Sequence, residues 1–212
     1  MKEEEINIIE KHTLWNRWFH WINFPLLALM IWSGVLIYWA DQAYIKIPTA
    51  LSEKLNLNHR LAEGMGWHFF LMWFYGLNGL FYVGHLIFSR QWRHLAPDRK
   101  TFKDSLKVIA HDLHLSKDPL PLEGKYNAAQ KLAYCGAIIM GAGTLITGIA
   151  IYKPVQLGWL TSLLGGYKAA RFEHFILMIG FILFFIIHII QVIRSGWNNF
   201  RSMIAGYEIE KE

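Results

Sequence analysis

Four stretches of the chain carry no Asp, Glu, Lys or Arg: residues 18–40, 64–89, 132–152 and 174–193. Each reaches the roughly 20 residues that an α-helix needs to cross about 30 Å of hydrocarbon. The pattern predicts an all-α fold, an integral membrane four-helix bundle forming a single domain over 1–212. Its spans run over about 18–40, 64–89, 132–152 and 172–193. Trp15, Trp18, Trp39, Trp67, Trp92, Trp159 and Trp197 fall near the run ends, where interfacial anchors belong. Between the second and third runs, Phe102, Leu106, Ile109 and Leu113 follow helical spacing, with Lys103, Asp104, Lys107 and Asp112 among them. That predicts an amphipathic helix on the inner membrane surface, with His111 and His114 simply solvated. No internal repeat stands out. The mixed charges of 1–17, with no small-residue cleavage site behind them, read as a retained N-terminus rather than a signal peptide.

Composition agrees with the spans. Of 212 residues, 54% are hydrophobic and only 17% are charged, where a soluble domain is nearer a quarter charged. The net charge of +5 does not point to nucleic acid, because the basic residues flank apolar runs instead of forming one basic face. Their distribution gives a direction. Three Lys and Arg precede the first span, nine lie between the second and third, and three follow the last, against six in the other two loops. By the positive-inside rule both termini face the cytoplasm. Cys135, the single cysteine, allows neither an iron–sulfur set nor a C-x-x-C-H haem attachment, and reads as a packing residue.

The chemistry lies in the histidines. Five of the ten lie within or at the ends of the runs: His20, His68, His85, His174 and His188. Intramembrane ionisable groups are functional candidates by default. One alone would more often be a helix–helix hydrogen-bond partner. Five on three helices, with no intramembrane acids for a proton relay, point to metal or haem. His174 and His188 stand 14 residues apart, close to four turns, and so share a face with about 21 Å between their α-carbons along the axis. That separation suits two stacked haems, not one shared ion. Second ligands at matching depths are His20 for His188 on the inner side and His68 for His174 on the outer side.

Neighbouring residues fit this scheme while keeping ordinary readings of their own. Gly34 and Gly79 lie on the stripes of His20 and His68, where small residues let a porphyrin approach or let helices pack. Arg17 and Arg171, three residues before His20 and His174, can pair with haem propionates or snorkel to the interface. Asn127 and Gln130, entering the third span, can donate to a quinone carbonyl or cap the helix. His85 lies roughly 100° round the helix from His68 and reads as a hydrogen-bonding or lipid-facing residue, with inner ligation as its alternative.

Trp15-Asn16-Arg17-Trp18-Phe19-His20-Trp21, Trp67-His68-Phe69, the segment from Lys125 to Lys131 and the His174/His188 pair together resemble the bacterial cytochrome b561 superfamily. That group includes the b-type membrane subunits of nickel–iron hydrogenases, formate dehydrogenase and thiosulfate reductase. The likeness runs from about Lys11 to Arg201 and is strongest to the thiosulfate-reductase branch. It implies two b haems held by histidines of the first, second and fourth helices, and a quinone site where Asn127 and Gln130 fall. It also implies a bacterial inner-membrane location and a periplasmic catalytic partner, a molybdopterin enzyme or hydrogenase, sometimes with an iron–sulfur subunit between. His85 departs from the four-ligand pattern.

The expected function is electron relay between that partner and membrane quinone. Two alternatives stand beside it. One is a stand-alone quinone-linked oxidoreductase for a small diffusible substrate. The other is a non-haem scaffold or transporter whose histidines only pack.

Overall fold

The computed structural model describes residues 6–112, 115–116 and 126–211. Lys125, Leu113 and His114 lie outside the described residues, as does the segment before residue 6. The elements are β1 (Ile6–Glu10), α1 (Leu14–Tyr38), α2 (Thr49–Lys54), α3 (Leu61–Phe88), α4 (Trp92–Leu95), α5 (Arg99–Asp112), α6 (Ala128–Tyr152), α7 (Gly158–Leu163), α8 (Tyr167–Ala205) and β2 (Tyr207–Lys211). Four of them, α1, α3, α6 and α8, are long and apolar enough to cross a membrane. The fold is all-α and multi-pass, with one small sheet. The spans begin three to seven residues earlier than the charge-free runs, because helical geometry extends through polar first turns. At Gly196 (φ 79°, ψ 174°) α8 breaks, ending the fourth span and starting a short terminal helix. Glycine is the residue that adopts this conformation without strain.

The chain divides into two compact units, residues 1–82 with 191–212, and residues 83–190. In the first, β1 and β2 pair antiparallel with Ile8 opposite Ile209, so the two chain ends lie together. Lys11 Nζ bonds Asn199 Oδ1 at 2.9 Å and Glu208 at 2.6 Å, and Trp21 Nε1 donates to the Met203 carbonyl at 3.0 Å. Thr13 opens α1 by accepting the Asn16 N–H. Further along, α3 meets α1 at Gly64. A Cβ there would lie 2.7 Å from Leu36 Cβ and 3.1 Å from the Ser33 carbonyl, so only glycine permits this approach.

In the second unit α5 lies against α6. Thr101, Ser105 and Val108 form its buried face, while Phe102, Leu106 and Ile109 are exposed. An uncovered apolar stripe on a helix with Lys103 and Lys107 suits the membrane surface expected from the sequence. Its first turn is fixed by Asp98, which accepts from the Thr101 and Lys100 N–H groups at 2.8 and 3.0 Å and from the Thr101 hydroxyl at 2.7 Å. These bonds hold the Asp98 carboxyl below its usual range, the Thr101 hydroxyl contributing most.

Candidate functional site

His68 is the eighth residue of α3, and His174 is the eighth residue of α8. Each imidazole meets the preceding membrane-length helix of its own unit, past the short helix between them. His68 Nδ1 lies 2.9 Å from Ser33 Oγ on α1, and His174 Nδ1 lies 2.9 Å from Thr147 Oγ1 on α6. Both hydroxyls are fully or almost fully buried. Each also donates along its own helix, Ser33 to the Met30 carbonyl at 3.1 Å and Thr147 to the Gly143 carbonyl at 2.7 Å. With its proton so placed, each hydroxyl meets Nδ1 as an acceptor. Nδ1 then carries the imidazole hydrogen, and Nε2 keeps the lone pair that a metal needs.

A glycine follows each hydroxyl and lets the ring come close. A Cβ on Gly34 would stand 3.5 Å from His68 Cε1, and one on Gly148 would stand 3.2 Å from His174 Cε1. Gly79, the other glycine expected to face a porphyrin, has nothing within 4 Å. Beside Thr147 an open apolar recess of about 440 Å³ is lined by Gly143, Ile146, Phe172, Ile176 and Leu177.

These matched arrangements overturn the expectation of no internal repeat. Ser33-Gly34-Val35-Leu36-Ile37-Tyr38 closes α1, and Thr147-Gly148-Ile149-Ala150-Ile151-Tyr152 closes α6. A six-residue helix follows each, α2 or α7, and then the long helix bearing His68-Phe69 or His174-Phe175. A repeated Ser/Thr-Gly pair ahead of a repeated His-Phe pair was the available signal. Ser33, Thr147 and Gly148 were missed because hydroxyls and glycines are ordinary residues of membrane helices.

His20 and His188 sit toward the other ends of their helices, both half-buried. His20 meets the Trp21 ring edge-on at 5.1 Å, and Phe184 stacks parallel to His188 at 6.0 Å. One turn before His20, Arg17 donates from Nη1 to the Ile204 carbonyl and lies 3.1–3.3 Å from where a Cβ on Gly206 would be. Its Nε is buried with no partner among the described residues, a donor suited to a propionate. Arg171, the fifth residue of α8, lies 6.0 Å from the Tyr167 ring centroid.

Two other expected residues have local partners. Asn127 and Gln130 form a capping box: Asn127 Oδ1 accepts the Gln130 N–H at 2.8 Å, and Gln130 Oε1 accepts the Asn127 N–H at 3.1 Å. Capping uses the amide oxygens and leaves the NH2 groups as the donors each side chain can offer. His85 Nε2 lies 3.3 Å from Gln91 Nε2, so the ring nitrogen that would reach a metal already meets an amide.

The donor set fits b-type haem. Neutral imidazoles present Nε2, glycines admit their rings, and a buried arginine N–H remains to be satisfied.

Comparison with known proteins gives the same reading. The family described as prokaryotic cytochrome b561 matches residues 11–206. A protein of Azospira oryzae named as a protein-methionine-sulfoxide reductase subunit, YedZ1, is 34% identical over 189 residues, covering 85% of this chain and 89% of its own length. That name differs from the thiosulfate-reductase branch which the sequence segments resemble. The chain belongs to the prokaryotic cytochrome b561 family of integral membrane proteins, whose cofactor is b-type haem.

Proposed function

We propose that this chain is a di-haem membrane subunit, relaying single electrons between a periplasmic catalytic subunit and the quinone pool. The observation that carries it is the pair of matched histidine modules, His68 with Ser33 and His174 with Thr147, together with His188 four turns further along α8. His68 and His174 serve the outer haem, and His20 and His188 the inner one. Support for the pairing comes from the position of each residue along its own helix. The Lys and Arg excess in the expected inner loops supports cytoplasmic termini.

When bound, haem would supply a one-electron carrier, held by His68 and His174 at one site and by His20 and His188 at the other. The chain's own residues hold and insulate that carrier. Ser33 and Thr147 set the imidazole tautomers. Arg17 and Arg171 offer guanidinium groups to propionates near the two surfaces. The NH2 groups of Asn127 and Gln130 offer donors to a quinone carbonyl at the inner end of α6. With histidines as both protein ligands, each haem would pass electrons only, so the second half-reaction would belong to the partner. The Azospira relative's name favours a reductase of oxidised methionine over a hydrogenase as that partner.

The test is purification from native membranes with a reduced-minus-oxidised spectrum and a haem count. Two haems per chain and a copurifying periplasmic subunit are expected. Absence of an α-band would end the haem reading. A lone chain with full substrate turnover would sink the subunit reading.

A further inference from the structure

We infer that Ser33 and Thr147 are a matched pair of positioning residues that act through His68 and His174 on the potential of one haem, the outer one. The inference rests on the haem reading above and adds a role for residues outside the ligand set. The geometry gives the mechanism. Each hydroxyl is buried, sits 2.9 Å from Nδ1 of its histidine, and sends its own hydrogen to a carbonyl of its own helix. Placed so, it accepts from Nδ1–H, which leaves Nε2 as the lone-pair nitrogen and adds electron density to the ring.

A more basic imidazole favours ferric over ferrous iron, so each bond lowers the haem's potential. The acceptor matters as much as the bond. A carboxylate in this place would draw the imidazole toward imidazolate and lower the potential much further, at the expense of a buried charge in lipid. A neutral hydroxyl gives a small, fixed downward setting. Both halves of the chain use the same device, Ser33-Gly34 in one and Thr147-Gly148 in the other. The His20 and His188 rings are met by aromatic neighbours, with Trp21 edge-on and Phe184 stacked. The two haems are thus set by unlike surroundings.

The experiment is a potentiometric titration of the α-band in the full-length protein purified with its haems, comparing wild type with Ser33→Ala, Thr147→Val and Thr147→Ser. Thr147→Val keeps the volume and removes the hydroxyl, leaving the Thr144 backbone as the ring's other hydrogen-bond partner, while Thr147→Ser keeps a hydroxyl with less volume. Ser33→Ala and Thr147→Val should each raise one midpoint and leave the other in place. The expected change is at most about fivefold in the ferric-to-ferrous ratio, the limit if a whole neutral hydrogen bond were gained with ferric iron alone. That is ~40 mV for a one-electron couple at 59 mV per tenfold. Thr147→Ser should titrate like wild type.

Loss of one haem in Thr147→Val with retention in Thr147→Ser would also support the role. Unmoved midpoints in both Ser33→Ala and Thr147→Val would overturn it. So would equal shifts in Thr147→Val and Thr147→Ser, which would make volume the cause. Should the two variants move different haems, the inference of one shared haem falls, together with the pairing of His68 with His174. A wild-type protein without haem overturns both readings together.

Discussion

Gly34 and Gly148 occupy matching places beside His68 and His174, yet one added methyl should have unlike results at the two sites. A Cβ on Gly34 would meet His68 Cε1 at 3.5 Å, an ordinary contact, whereas one on Gly148 would meet His174 Cε1 at 3.2 Å. The His174 ring has little freedom to retreat, because Nδ1 is held by Thr147, the residue next to the substituted glycine. Two terms compete. Replacing a mid-helix glycine by alanine gains roughly 0.8–1 kcal/mol of helix propensity. Overpacking a tight site costs about 1–3 kcal/mol. At Gly34 only the first term applies, so Gly34→Ala should be neutral or stabilising by up to about 1 kcal/mol. At Gly148 the terms oppose, and the net cost is about 0–2 kcal/mol, concentrated on the ring that would bind iron. The assay is haem occupancy per chain, with the temperature at which the α-band is lost. Gly148→Ala should lower both for one haem, and Gly34→Ala should leave occupancy intact. Equal loss in the two variants, or loss confined to Gly34→Ala, would refute the reasoning from these distances.

Three further outcomes follow from the same geometry. His174→Ala should remove one haem and keep the other, while His85→Phe should keep both, because His85 already meets Gln91; haem counts on the purified variants decide this. Asn127→Ser keeps a capping side chain for α6 but deletes the NH2 donor, so quinol-linked turnover should fall with the α-band unchanged. Unaltered turnover would leave Asn127 as a cap alone. Asp98 has a folded-state pKa below its unfolded value, so its contribution to α5 is complete above the unfolded pKa of about 3.9 and is lost as pH falls through the folded value. Hydrogen exchange at the Lys100 and Thr101 amides should quicken, relative to intrinsic rates, only below that range, and Asp98→Asn should flatten the profile.

The spans and the amphipathic α5 were legible because lipid imposes a coarse rule, the exclusion of charge, that any 20-residue run displays. The ends of the helices were less so. Thr13 extends α1 and Asn127 extends α6 by capping, which local side-chain chemistry decides after hydropathy has lost its signal. The sheet of β1 with β2 was missed because its strands are five residues each and separated by nearly the whole chain. Among the site residues, histidines announce themselves by cost. Ser33 and Thr147 do not, since a hydroxyl can satisfy itself on its own helix and needs no partner to be tolerated. Only the placement of a histidine against it gives it a role. Arg17 shows the reverse case: spacing from His20 suggested a propionate partner, and the structure adds a second duty at the Ile204 carbonyl.

The internal repeat explains why the two proposed haems should differ. In register with Ser33 and Thr147, His20 corresponds to Tyr134; in register with His68 and His174, His188 corresponds to Tyr82. The proposed outer ligands are therefore repeat-related, each with its hydroxyl and glycine. The proposed inner ligands are not, since each has a tyrosine in the corresponding place of the other half. The four corresponding positions thus hold two imidazoles and two phenols, imidazoles enough for the one inner haem proposed. The tyrosines are built into their own surroundings, Tyr82 edge-on to Phe19 at 5.6 Å and Tyr134 edge-on to Tyr126 at 5.1 Å. Tyr126 adjoins Asn127, and burial raises its phenol pKa, keeping it a neutral hydroxyl. A duplicated helix pair would give the same chemistry at both membrane surfaces if it stayed symmetric. The presence of two phenols breaks that equivalence on the side proposed for quinone. It leaves symmetry on the side proposed for the partner, where the chain needs only to hold an electron at a fixed potential.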